Sequence, residues 1–131
     1  MQVWLAMSLM LSLNGCFLKQ DRTTTVYGTI TDQNGQPVDS ILVLVQGVKY
    51  LTYQDLASVY SDENGNYEIV MEVPKKFNSV NSGIPAIPLQ NMKFEKFYKG
   101  YDVMKDGNSV SNCCFSSIGQ KTRYDFQLMP K

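Results

Sequence analysis

"SDENGNYEIVMEVP", residues 61–74, sets Asp62, Glu63, Asn64 and Asn66 around Gly65 and then runs into an alternating apolar segment. Tyr67, Ile69, Met71 and Val73 fall on one side of an extended chain, while Glu68 and Glu72 fall on the other. Val70 is a single exposed apolar exception. The segment therefore reads as a turn feeding a half-buried strand that stops at Pro74, which has no N–H for a ladder. A calcium loop of the EF-hand type requires glycine at its sixth place and acids at its first and twelfth. With Gly65 sixth, those places fall on Tyr60 and Met71. A looser calcium site using Asp62, Asn64 and a carbonyl is the alternative, but turn chemistry alone accounts for the Asp and Asn residues.

The same period continues outward. Residues 23–32, "TTTVYGTITD", are rich in β-branched residues and put Val26, Gly28 and Ile30 opposite Tyr27, Thr29 and Thr31. Residues 33–40 contain Asn34-Gly35 and Pro37, the residues of a reversing chain. Residues 41–50 are apolar on both faces through Val45, as a strand covered on both sides would be. Residues 51–61 read as a loop feeding a short strand at Val59 and Tyr60. Residues 75–90 carry two prolines and no sustained period. They read as an excursion whose Phe77, Ile84, Ile87 and Leu89 cover a sheet edge or form a binding surface. Residues 91–103 read as a strand with Met92 and Phe94 on one face and a bulge near Glu95 and Lys96. A polar connection follows with a hairpin signal at Asp106-Gly107. The last strand places Tyr124, Phe126 and Leu128 inward and Arg123, Asp125 and Gln127 outward. About seven short strands separated by turn residues predict an all-β, antiparallel β-sandwich, with no internal repeat or low-complexity tract.

At 131 residues the chain holds one core. Twelve basic and twelve acidic side chains cancel, so no basic surface for nucleic acid is implied. Histidine is absent, which removes the commonest neutral-pH acid–base group and the commonest nitrogen metal ligand. Glu68 and Glu72 lie about 13 Å apart along one strand face and do not form a hydrolytic pair. No Gly-x-Ser-x-Gly elbow is present. The expectation is a non-enzyme with no catalytic residue, no cofactor and no metal site.

Residues 1–15, "MQVWLAMSLMLSLNG", contain no charged side chain and are too short to span a bilayer as a helix. They read as the apolar region of a signal peptide. The following "LNGC", Leu13 to Cys16, resembles a bacterial lipobox, which implies lipidation at Cys16 and removal of the leader. Residues 16–25 are then a tether, and residues 26–131 the domain. The acyl chains, palmitate among them, hold the protein to a membrane, on the periplasmic face or the cell surface of the outer membrane.

Cys113 and Cys114 are adjacent. Neighbouring cysteines can close only a strained ring, so a thiol pair there is either two small loop residues or a free or intermolecular redox site. Two thiols without histidine do not complete a zinc site.

Taken together, "VYGTITDQNGQPVDSILVLVQG", "YSDENGNYEIVMEVP", "KGYD" and "RYDFQLMP" resemble the carboxypeptidase regulatory-like, or transthyretin-like (prealbumin-like), domain family. The resemblance covers residues 26–74 closely and 93–129 loosely. It implies a transthyretin-like sandwich that serves as an accessory module without chemistry of its own, and hence another envelope protein as partner. The alternative is a carbohydrate- or peptide-binding lipoprotein with Tyr50, Tyr53, Tyr98 and Tyr101 as an exposed platform.

Overall fold

Alternation of small β-branched and large apolar residues builds two pleated layers whose inner faces close on each other. The computed structural model describes residues 21–110 and 113–131. These residues form β1 (Thr23–Thr31), β2 (Leu42–Lys49), β3 (Thr52–Tyr60), β4 (Asn66–Glu72), β5 (Ser79–Gly83), α1 (Met92–Phe97), β6 (Tyr98–Lys105), β7 (Asn108–Val110), β8 (Phe115–Ser116) and β9 (Lys121–Pro130). One sheet has the order β4-β1-β9-β6-β7 and the other β3-β2-β5-β8. The pairings are antiparallel except β1 with β9, which is parallel. The chain switches between sheets repeatedly, so neither layer is built from one continuous stretch. The all-β sandwich expected from the sequence is the observed architecture.

The dry interior lies between Val26, Ile30, Ile69, Phe126 and Leu128 of the first sheet and Val43, Val45, Val80 and Ile84 of the second, all at most 5% exposed. Inward and outward residues of β1, β4 and β9 follow the predicted phases.

Three expectations are corrected. Residues 51–61 are a full strand, β3, missed because it lies at a sheet edge and is mostly exposed, which erases the apolar period. The stretch 75–90, expected to be an excursion, contributes β5 to the interior of the second sheet. Val80, Ser82 and Ile84 face inward, and the serine hid the alternation. Its Phe77 is core rather than edge cover, whereas Leu89 is exposed. Residues 92–97 are helical, not a bulged strand. Asn91, Phe94 and Tyr98 point inward at spacings of three and four, so the apparent phase break is a helical turn. The first strand expected over residues 23–32 is β1, which begins at Thr23, and Thr24 is completely buried.

One local irregularity ties the layers together. The β1–β9 ladder pairs Thr25 through Tyr27 with Lys121 through Arg123 and resumes at Ile30 and Phe126, skipping Gly28 and Thr29. In the gap the Tyr124 carbonyl lies so close to Gly28 that a Cβ there would overlap it. That carbonyl accepts a 2.6 Å hydrogen bond from the Tyr67 hydroxyl, and Tyr67 pairs directly with Gly28 across β1 and β4. The Tyr67 ring therefore bridges from β4 over β1 to β9, across the one position without a side chain. Thr29 N–H, left without a ladder partner, donates to Asp125 Oδ1 at 2.8 Å, and the Thr29 hydroxyl donates to the same oxygen. Tyr124, fully buried, donates its own hydroxyl to the Phe115 carbonyl of β8, crossing to the second sheet.

A second polar staple fixes α1. Asn91 is completely buried, accepts from Leu42 N–H at Oδ1 (2.9 Å), and donates through Nδ2 to the carbonyls of Leu42 (3.2 Å) and Pro85 (3.0 Å).

Removing one partner of a buried hydrogen bond costs about 1–3 kcal/mol. Tyr67→Phe should therefore lower unfolding free energy by about that amount in urea titration. Gly28→Ala should cost about as much or more by forcing β1 and β9 apart. A loss below about 0.5 kcal/mol, the range of a neutral surface substitution, for both variants would show that this bridge does not hold the sheets.

Candidate functional site

The opening stretch resolves into a clasp. Asp62 Oδ1 accepts from the backbone N–H groups of Asn64 and Asn66, both at 2.9 Å, and the Asp62 carbonyl accepts from Gly65 N–H. Gly65 sits at φ 73°, the left-handed region this reversal needs. Asp32 repeats the arrangement. Its Oδ1 accepts from Asn34 and Gln36 N–H at 2.8 and 3.0 Å, and its carbonyl from Gly35 N–H. The four-residue pattern Asp-x-Asn-Gly thus occurs twice, at 32–35 and 62–65, and builds the same loop both times. In each loop one carboxylate oxygen is taken up by backbone amides, which is what turn chemistry alone demands.

The four tyrosines considered as a platform do not come together. Tyr50 and Tyr53 belong to the β2–β3 hairpin of the second sheet, 82% and 47% exposed. Tyr98 and Tyr101 belong to β6 of the first sheet and are half-buried. Their rings pack on Phe94 at centroid distances of 6.4 and 6.3 Å, and Tyr101 meets Phe126 edge-on at 5.1 Å. Tyr53 pairs instead with Phe115, from the connection expected to be polar.

Tyr101 nevertheless reaches a cavity. A pocket of about 210 Å³ is lined by Leu44, Gln46, Asn81, Ser82, Tyr101 and Cys113, among others. Ser82 is 3% exposed, and its hydroxyl has no hydrogen-bond partner among the described residues. Asn81 Oδ1 accepts from Cys114 N–H, and Gln46 Nε2 donates to Asp55, which leaves one amide end of each side chain uncommitted in these bonds. Among the described residues no charged side chain lines the pocket. Cys113 is half-buried at its wall and Cys114 is buried, with their sulfur atoms in contact. Cys16 lies outside the described residues.

A second, open cleft of about 480 Å³ lies where β3 approaches β4, between Tyr27, Tyr60, Asp62, Tyr67, Glu68 and Arg123. Its groups are committed elsewhere. Burial, reinforced by Asp125, pushes the Tyr67 pKa well above the ordinary tyrosine value, so its proton stays on the Tyr124 hydrogen bond. The hydrogen bond and charge of Asp125 raise the Arg123 pKa further, and Arg123 Nε contacts both carboxylate oxygens at 3.0–3.1 Å. Glu68 and Glu72 point to solvent along β4. Among the described residues no three Cys, Asp or Glu side chains converge as a metal set would, and no helix is long and apolar enough to cross a membrane.

With this geometry in hand, comparison with known proteins yields no family model, no curated protein and no solved structure that matches the chain.

One exposed pair has a clear pH signature. The Lys93 ammonium, 2.7 Å away, is the main cause that lowers the Asp39 pKa to about 2, with Ser40 assisting. Because the folded value lies below the ordinary 3.8, any stabilisation from this pair is present above pH 3.8 and disappears as pH falls through 2. A carbon-detected NMR titration should place the Asp39 midpoint near 2 in the native chain, and Lys93→Gln should move it back toward 3.8.

Proposed function

We propose that the chain is a cell-envelope lipoprotein, lipidated at Cys16, whose sandwich is a non-catalytic binding or assembly module for another envelope protein. The resemblance to carboxypeptidase regulatory-like domains supports the accessory role. The observation that carries the module reading is β3. It is nine residues long and lies at a sheet edge, with Thr52, Tyr53, Gln54, Asp55, Ser58 and Tyr60 exposed and Asp55 its only charged side chain. Natural edge strands are usually short, covered or charged, because a bare edge recruits another strand. An extended segment of a partner adding to this edge would gain main-chain hydrogen bonds, with Tyr53 and Tyr60 supplying contact area.

A second reading, a carbohydrate- or peptide-binding lipoprotein, is favoured by one specific observation, the uncharged pocket beside Tyr101 with the unpartnered Ser82 hydroxyl. At about 210 Å³ it is smaller than the roughly 300–1,000 Å³ of drug-sized sites. It would suit one sugar ring better than a peptide.

Intact-mass analysis of the chain expressed in a lipoprotein-processing bacterium should find residues 1–15 removed and acyl chains on Cys16. Cys16→Ser should remain unprocessed. A photo-crosslinking residue at Gln54 or Ser58 of β3 should capture one defined envelope protein, whereas the same residue at Glu68 or Glu72 of β4 should not. Equal capture from both strands would overturn the edge-docking reading, and an unmodified Cys16 would overturn the anchor.

A further inference from the structure

The β2–β3 connection is a two-residue hairpin, because Lys49 pairs with Thr52 and only Tyr50 and Leu51 lie between. Such turns favour Asn-Gly, whose small or polar residues accept positive φ. Here Tyr50 occupies φ 55°, an unfavourable place for a bulky side chain, and Leu51 follows it at 93% exposure. The chain thus holds two large apolar residues in water at a strained tip, where turn chemistry alone would select neither. Phe115 and Tyr53, 48% and 47% exposed and 6.5 Å apart, extend the apolar surface along the flank.

This tip lies at the end of the sandwich where the N-terminal segment enters. The Arg22 guanidinium donates to the carbonyls of Val73, Pro74 and Phe77 at 2.7–2.9 Å, and the next residue, Asn78, donates its N–H to the Val48 carbonyl two residues before Tyr50. The Phe77 ring also packs on Gly47 of β2. From Cys16 to Asp21 is five residue steps, a reach of at most about 18 Å when fully extended. Cationic side chains surround the tip. Lys49 stands over the Tyr50 ring at 5.9 Å, Lys76 reaches Gln54 at 3.0 Å, and Lys75 is exposed beside it. Of the acidic groups at this end, Asp21 is engaged by Thr23 N–H, Asp55 is exposed next to Gln54 and accepts from Gln46 Nε2, and Glu72 is exposed at the end of β4.

We propose that Tyr50 and Leu51 form a membrane-contact tip that seats this end of the sandwich on the bilayer holding the anchor. The inference rests on the lipid-anchor reading above. A tether this short keeps the hairpin within reach of the interface at high effective concentration. A tyrosine and a leucine flanked by lysines match that interface, the ring and aliphatic chain entering between headgroups and the ammonium groups facing anionic lipid. Docked this way, the sandwich leaves the length of β3 facing sideways, open to a partner.

The test is Leu51→Trp in a Trp4→Phe background, so that one indole remains whether or not the leader is removed. The chain, expressed in full and processed in the host, is reconstituted in phosphatidylethanolamine–phosphatidylglycerol vesicles carrying acyl chains brominated near the headgroup or near the terminal methyl. The comparison is Leu89→Trp in the same background. Leu89 is 88% exposed, and Asn91, two residues after it, accepts through its side chain from Leu42 N–H at the far end of β2, about 25 Å from the tip at the strand rise. The expected result is a blue-shifted indole at 51 that loses most of its fluorescence to the shallow bromine and less to the deep one, with an unquenched indole at 89. Equal, weak quenching at both positions in protein whose mass proves acylation at Cys16 would overturn the tip while leaving the anchor standing. Absent acylation would remove the anchor itself. Burial of the indole in native envelopes but not in protein-free vesicles would assign the tip to a protein and overturn the proposal.

Discussion

The contact on which the rest of this sandwich depends is the one at Tyr124. Its carbonyl turns out of the β1–β9 ladder to take the Tyr67 hydroxyl, and its own hydroxyl reaches the Phe115 carbonyl on the opposite sheet. A buried tyrosine is useful only if its polar end is satisfied, and here two of them satisfy each other's neighbourhood. Gly28 makes room for the carbonyl, and Asp125 supplies the acceptor that Thr29 loses. Four strands are thereby linked through one residue of the closing strand, which explains why the last segment of the chain lies at the centre of a sheet rather than at its rim.

Buried polar side chains do comparable work at the other end. Asn91 closes both backbone groups of Leu42 and the Pro85 carbonyl, and Ser61 accepts from Ile41 N–H and donates to the Val38 carbonyl. In each case an irregular segment is held to the start of β2 by a short side chain that replaces missing ladder partners. The two Asp-x-Asn-Gly loops add the same logic outside the core. The molecule consequently has one end built from polar clasps and another where the chain enters beside an apolar hairpin tip.

Local periodicity made much of this visible in advance. β1, β4 and β9 have one wet and one dry face, so their alternation states both the strand and its orientation. The Asp106-Gly107 signal corresponds to the β6–β7 turn, with positive φ at both residues. Periodicity failed where burial was atypical: β3 because only Leu56, Ala57 and Val59 of its nine residues reach the core and none is fully buried, β5 because Ser82 occupies a dry position, and α1 because six residues are too few for a helical period to separate from a bulged strand. The tyrosines were legible as residue types but not as a group, since their separation follows from which sheet each strand joins.

By itself the sequence determined the class of architecture, the turns and the inward set of the regular strands, because those follow from interactions among neighbours along the chain. Only the tertiary structure decided the strand order, the displaced Tyr124 carbonyl, the pocket beside Ser82 and the placing of the β2–β3 turn at the end where β1 begins. Each of those joins residues tens of positions apart, and backbone hydrogen bonds and close packing in a dry interior select among pairings that local pattern leaves equivalent.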